Sequence, residues 1–155
     1  MGDAHIVVIA KDKLQVDNDF GDVFTWGLDH SGRLGYVTEN IKDQDEEVDD
    51  TSKLFNNIYF IIENFIYKRI PNKLVFPNKE KISRVSCGVD FTACISSTGK
   101  LYTFGNNRWN NLGLSKKTMD NYLNTRGGEI GYGNKVIKEP QLVESLAHFF
   151  IIQVF

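Results

Sequence analysis

Apolar positions along the chain fall in short runs set off by glycine: IVVIA at 6–10, VFTW at 23–26, FTACI at 91–95 and LYTF at 101–104. The runs mix β-branched with aromatic side chains, which favours strands over helices. Side chains alternate along a strand, so Val23 and Thr25 oppose Phe24 and Trp26, and Leu101 and Thr103 oppose Tyr102 and Phe104. Both faces of each run are largely apolar, and a strand of that kind needs cover on both sides. One longer stretch, 54–70, is broken by Asn56, Asn57, Glu63, Asn64 and Lys68, which a bilayer core would not tolerate unpaired. Its Leu54, Ile58, Ile61, Ile62 and Phe65 fall at helical intervals, so it reads either as an amphipathic helix or as a strand.

The runs repeat. GDVFTWGLDHSGRLGY, residues 21–36, aligns without gaps on GKLYTFGNNRWNNLGL, residues 99–114. GDAHIVVI, residues 2–9, matches GVDFTACI, residues 88–95, just upstream. Downstream, PNKLV from Pro71 is echoed by PQLV from Pro140, and ISRVS from Ile82 by IIQVF from Ile151. Gly27 and Gly105 directly follow a large aromatic, where a residue free to take positive φ lets the chain leave a sheet sharply. Alternation alone leaves a β-sandwich open. Three blocks recurring in one order select radially stacked blades, each covered by its neighbours.

The repeated positions are Gly2, His5, Gly21, Trp26, Gly27, Gly32, Leu34 and Gly35 in the first copy, and Gly88, Gly99, Tyr102, Phe104, Gly105, Leu112 and Gly113 in the second. Their series resembles the repeat of the regulator of chromosome condensation family. The resemblance implies an all-β fold, a partial β-propeller of about two blades of antiparallel strands. It departs from the family pattern where Phe91 stands for the histidine kept as His5, where GRLG and NNLG replace Gly-Gln-Leu-Gly, and where Phe104-Gly105 replaces Trp-Gly. His5 is expected to make a structural hydrogen bond within its blade.

A blade of this type recurs at about 50 residues, and the longer spacing here points to insertions. The expected organisation is a first repeat unit at 1–36, incomplete at its start, an acidic then apolar insertion at 37–70, a second unit at 71–114, an inserted loop at 115–139, and the start of a third unit at 140–155. A further insertion at 11–19 lengthens a hairpin. The run DQDEEVDD at 43–50 is expected to be solvated and disordered. The two longest insertions follow equivalent turns, so one side of the propeller carries elaborated loops, where binding tends to reside. With just over two units, the chain is expected to be a segment of a longer protein or a truncated product, and marginal or self-associating by itself.

Composition removes several alternatives. A formal net charge of -2 gives no positive field for a phosphate backbone, so nucleic-acid binding through this segment is not expected. Cys87 and Cys94 form no CxxC pair, and no glycosylation sequon or signal peptide is present, which fits an intracellular protein of cytoplasm or nucleus with no membrane contact. The histidines and cysteines lack metal-ligand spacing, and no cofactor is expected. Cys87 and Cys94 read as small core residues. DHSG at 29–32 places acid, imidazole and hydroxyl side by side, but adjacent residues of one turn cannot form a relay, so it reads as a turn in which Asp29 and Ser31 cap backbone amides. GGEIGYG at 127–133 lacks dinucleotide-loop spacing and reads as a flexible linker. Trp109 is either a partner anchor or, preferably, packs on a neighbouring blade.

The expected function is that of a protein-interaction scaffold with no catalytic centre. The family resemblance adds alternatives: part of a guanine nucleotide exchange factor for a small GTPase, or the propeller of a multidomain ubiquitin ligase. The implied partners are a protein, in the second case a small GTPase, and the remaining blades of a longer chain. Chromatin attachment, which in the family depends on basic segments, is disfavoured by the acidic insertion and the net charge.

Overall fold

The chain is described from a computed structural model, in which residues 4–13, 19–37, 59–62, 65–126, 130–131 and 134–155 are placed. Nine strands and one α-helix occur among them: β1 (His5–Ala10), β2 (Asp22–Asp29), β3 (Tyr59–Ile62), β4 (Phe65–Lys73), β5 (Ile82–Cys87), β6 (Phe91–Ser96), β7 (Leu101–Asn106), α1 (Lys116–Arg126), β8 (Ile130–Gly131) and β9 (Asn134–Leu142). They form a four-stranded sheet, β1-β2-β4-β3, and a five-stranded sheet, β5-β6-β7-β9-β8. Every pairing is antiparallel. The sheets are successive blades of an open propeller.

The two sheets repeat strand for strand. β1 pairs with β2 with His5 opposite Gly27, and β6 pairs with β7 with Phe91 opposite Gly105. At Gly27 and Gly105 φ is 111° and 116°, and a Cβ at either would lie 2.5 Å from the carbonyl oxygen of Ala4 or Asp90 on the neighbouring strand. The register shifts at this glycine in both sheets, between Thr25 and Gly27 and between Thr103 and Gly105. Beyond it the pairing resumes with β4 and with β9. Val23 O then accepts from Leu74 N, and Leu101 O from Val143 N, each at 2.9 Å. Pro71 and Pro140 thus lie in the last long strand of the first and second sheets respectively, and the repeated sequence blocks run out of phase with the sheets.

The inserted segments build strands. The described part of the 37–70 insertion is strand rather than helix, because Tyr59 to Ile62 and Phe65 to Tyr67 are aromatic and β-branched residues that suit a pleated sheet better than a helix. Leu54, Ile58 and the acidic run lie outside the described residues. The helix stands elsewhere, in the 115–139 connection read as a loop. Ser115 caps it, its Oγ accepting from Thr118 N at 3.1 Å, and Met119, Tyr122 and Leu123 form its apolar side. Within the 127–133 stretch read as a linker, the described Ile130 and Gly131 form β8 and pair with Lys135 and Asn134; the rest of that stretch lies outside the described residues.

The core lies between the sheets. Val23 and Leu74 of the first pack on Phe76, Ile82, Cys94, Tyr102 and Phe104 of the second, with Val7, Ile9 and Tyr36 alongside. Phe76 meets Tyr102 edge to face at 5.6 Å. On the second sheet, Leu112 and Ile137 pack with Met119 and Tyr122 of α1, next to Phe91, Leu114 and Leu123. Cys94 is fully buried, which pushes its thiol pKa up, and Cys87 is half-buried.

Candidate interaction surface

The loops at one end of the blades are built on rigid turns whose bonds run to backbone. Thr25 Oγ1 donates to Leu34 O at 2.6 Å, and Thr103 Oγ1 to Leu112 O at 2.7 Å. Each turn is closed by a second bond, Gly35 N to Gly32 O at 3.1 Å and Gly113 N to Asn110 O at 3.3 Å. Gly32 and Asn110, at equivalent places, both hold positive φ. Asparagine tolerates that conformation better than most residues, which is why NNLG can replace GRLG.

The second turn is anchored further. Asn107 N donates to Lys135 O at 2.8 Å, its Oδ1 accepts from Leu112 N at 3.0 Å, and its Nδ2 contacts Met119 Sδ of α1. Asn106 Nδ2 reaches Asp90 Oδ2 at 2.8 Å, and its Oδ1 receives Arg108 N. On this fixed base Trp109 stands 79% exposed, with the Arg108 guanidinium 5.1 Å from its ring centroid. The preferred reading, packing against a neighbouring blade, is corrected: Trp109 stands largely exposed at its turn.

The first turn is tied to the next blade. Arg33, 5% exposed, donates from Nε to His30 O at 2.8 Å and from Nη1 to Val89 O at 3.0 Å. Thr92 Oγ1 donates to Arg33 O at 3.1 Å and lies 3.1 Å from His5 Nε2. His5 was expected to bond within its blade; it is instead buried at the junction and meets Thr92 of the next sheet. The reason is that the His5 end of β1 faces β6 across the inter-sheet core. The sequence marked GRLG as a motif but missed the part played by Arg33, whose signal was an arginine inside an otherwise small-residue turn. The DHSG segment is held by these bonds and by the left-handed backbone of Ser31 and Gly32.

A second polar cluster links the blades at the opposite end. Glu80 binds Lys100, and Thr98 Oγ1 donates to it at 2.8 Å, while the adjacent Lys81 binds Asp22 at 2.7 Å and Lys73 binds Asp22 at 2.8 Å. Burial opposes ionisation of Glu80, but hydrogen bonds from Lys100, Ser96 and Thr98 outweigh it and hold its pKa at about 2. Bonds from Lys73 and Lys81 lower Asp22 as well. Burial, with Glu80 nearby, pushes Tyr102 up to about 12. The acids and bases neutralise one another across the junction, which is a structural arrangement. Among the described residues no cluster of three or more histidine, cysteine or acidic side chains could hold a metal, and no helix is long and apolar enough to cross a membrane.

Of the repeated positions, Leu34, Tyr102, Phe104 and Leu112 are buried around the core, Trp26 is half-buried on the outer side of the first sheet, and Gly21 bonds Ile82 in both directions between the blades. Gly99 repeats this link, accepting from Ile151 N at 2.9 Å, and Gly88 N donates to Phe91 O at 2.9 Å in the turn before β6. Gly2 lies outside the described residues.

Residues 21–95 match the family model of the regulator of chromosome condensation (RCC1) repeat. That stretch carries the RCC1 repeat. The chain is 28% identical over 113 residues to the human RCC1 domain-containing protein 1, covering 65% of this chain and 30% of that protein. It is 25% identical over 115 residues to the zebrafish serine/threonine-protein kinase Nek8, covering 74% of this chain and 12% of the kinase. Over 50 residues it is 44% identical to the mouse X-linked retinitis pigmentosa GTPase regulator, covering 32% of this chain and 5% of that one. The chain therefore spans less than a third of each of these relatives. Among solved structures, yeast RCC1 (Prp20) bound to Kap60 superposes with a TM-score of 0.58 at 17% identity, covering 92% of this chain and 24% of Prp20. Human WBSCR16 gives 0.56 at 18%, covering 98% and 27%. These structures share the chain's fold.

Proposed function

We propose that this RCC1-repeat segment is a protein-interaction scaffold whose recognition surface centres on the 107–113 turn. The observation that carries the reading is Trp109, a large aromatic 79% exposed beside Arg108 on a turn whose backbone N–H groups donate to two asparagine side chains. Tryptophan and arginine dominate protein–protein hot spots, and a rigid base reduces the ordering cost of using them. An exchange-factor role is the second reading. It is favoured by the resemblance to Prp20, whose binding to Gsp1p and histones has been studied with its structure.

The test measures binding of the chain to Gsp1p and to core histones, and in parallel the release of labelled nucleotide from Gsp1p. The scaffold reading expects saturable binding to a protein probe, weakened about tenfold or more by Trp109→Ala, about 1.4 kcal/mol, with nucleotide release at its intrinsic rate. Accelerated release at stoichiometric chain would move the assignment to exchange. Binding indifferent to Trp109 would remove the turn from the surface.

A further inference from the structure

The two ends of the second sheet differ in how their charges are answered. Residues 91–119 contain no aspartate or glutamate, but hold Lys100, Arg108, Lys116 and Lys117, in a chain of net charge -2. Lys100, at one end, is taken up by Glu80. At the other end the cations gather around Trp109. Arg108 precedes it, Lys135 O accepts from Asn107 N of the same turn, and α1 follows with Lys116 and Lys117 at its start. The helix is held to the turn where Asn107 Nδ2 contacts Met119 Sδ. Lys116 and Lys117 are exposed, and neither they nor Lys135 form an ion pair among the described residues. The acids next to this surface are engaged: Asp90 accepts from Asn106 Nδ2, and Glu144 from Thr118 Oγ1. Asp120, a turn further along, is the one acid of α1.

Local stability does not account for the two lysines. Cations in a first turn oppose the helix dipole, and α1 has no acidic residue there to offset them. The outward aim of the turn belongs to its place in the blade. His30, which holds the place of Arg108 in the first turn, is exposed although that turn packs on Val136 and Ile137 of the second sheet through Gly32, and Ser31, in the place of Trp109, is only half-buried. Val89, 60% exposed, adds an apolar side chain on the adjoining β5–β6 turn, which Asp90 ties to Asn106.

We infer that the partner docked by this turn presents an acidic segment, with an apolar side chain set on Trp109 and Val89 and carboxylates meeting Arg108, Lys116 and Lys117. The inference rests on the 107–113 turn being the recognition surface and adds the chemistry of what it recognises. Charge complementarity of this kind speeds encounter and rejects basic partners. A nucleic-acid backbone is a poorer match: the affinity of duplex binders comes from roughly 6–10 phosphate contacts, more than this small group of cations offers on a net acidic chain.

The test titrates the full 155-residue chain into a fluorescein-labelled peptide of glutamates around a central Phe-Leu pair, the same peptide with lysines for glutamates, and a single-stranded oligonucleotide of equal charge. The glutamate peptide is expected to bind, and to bind more weakly as salt rises. Trp109→Ala and the double variant Lys116→Glu/Lys117→Glu are each expected to weaken it about tenfold. Glutamates in the first turn favour the helix dipole, so a loss of binding there is not a loss of fold. Lys79→Glu, which reverses an exposed lysine on the link between the sheets, is expected to leave binding unchanged, and the lysine peptide is expected to stay unbound. Binding that falls with Trp109→Ala but ignores both the lysine reversal and salt keeps the turn as the surface and overturns its acidic preference. A protein probe that binds through Trp109 while the glutamate peptide does not bind overturns it too, as does an oligonucleotide that binds at least as tightly as the peptide. Peptide binding indifferent to both variants removes the turn and its preference together.

Discussion

Tyr102 and Phe104 in the second sheet are 1% and 0% exposed, whereas Phe24 and Trp26, at the same two positions of the first sheet, are only half-buried. The sequences are close and the backbones repeat down to the positive φ of the glycine that follows. What differs is the neighbour. The second sheet has the first against this face, and the first has no described element stacked there in the same way. A repeat motif therefore fixes local geometry, while the energy of each aromatic is set by what stacks on it.

The largest test of that contrast is a pair of truncations. Phe104→Ala is expected to cost about 3–5 kcal/mol, the usual range for a fully buried aromatic, and Trp26→Ala about half as much, since less of its area leaves water. Urea unfolding of dilute chain measures both, and equal losses would break the comparison.

Next come the turn glycines. A Cβ at Gly35, φ 79°, would lie 2.6 Å from Phe104 Cε2, whereas at Gly113, φ 66°, the nearest atom is Val143 Cγ1 at 3.4 Å. Both alanine variants carry the left-handed backbone cost of roughly 1–2 kcal/mol. Gly35→Ala should lose about 1–3 kcal/mol more, as overpacking does, and a thermal melt of the two side by side decides it.

Thr25→Val and Thr103→Val remove equivalent bonds to Leu34 O and Leu112 O. Each is expected to lower stability by about 1 kcal/mol, and here the sheets should agree. A difference beyond about 1 kcal/mol would mean that the two turns are held by different means.

The smallest effect is the acid response of the inter-blade cluster. Glu80 has its pKa depressed in the fold, from 4.5 to about 2, so its ionised form stabilises the native state above the unfolded value. That contribution is complete above about pH 5 and declines as pH falls through 4.5 towards 2. Glu80→Gln is expected to flatten the stability profile in this window relative to the parent chain. An unchanged acid slope would show that Lys100 does not act through Glu80.

The blades were legible because their signal is local: alternation, the aromatic-glycine step at Trp26-Gly27 and Phe104-Gly105, and repetition of both. The helix was not, although Ser115 three residues before Thr118 and the spacing of Met119, Tyr122 and Leu123 are a cap and an apolar stripe. Its 11 residues are mostly polar, and it folds because Leu112 and Ile137 offer it a surface, which no local pattern contains. His5 shows the same limit. The family resemblance implied a structural hydrogen bond within its blade, but the partner, Thr92, lies 87 positions away on another sheet. Trp109 was read by preference as packed on a neighbouring blade, and it stands instead 79% exposed at its turn.

The threonine-to-carbonyl bond that holds each turn carries a consequence for how such a protein can diversify. Its acceptor is a main-chain oxygen, present whatever side chain the residue bears, so the support places no demand on the letters displayed above it. Ser31 in one blade and Trp109 in the other occupy the same place on the same support. A lineage can thus exchange the residues it shows to the outside one at a time, from small and polar to large and aromatic, without renegotiating the fold. New specificities become reachable by single substitutions, and each blade serves as a separate site for trying them.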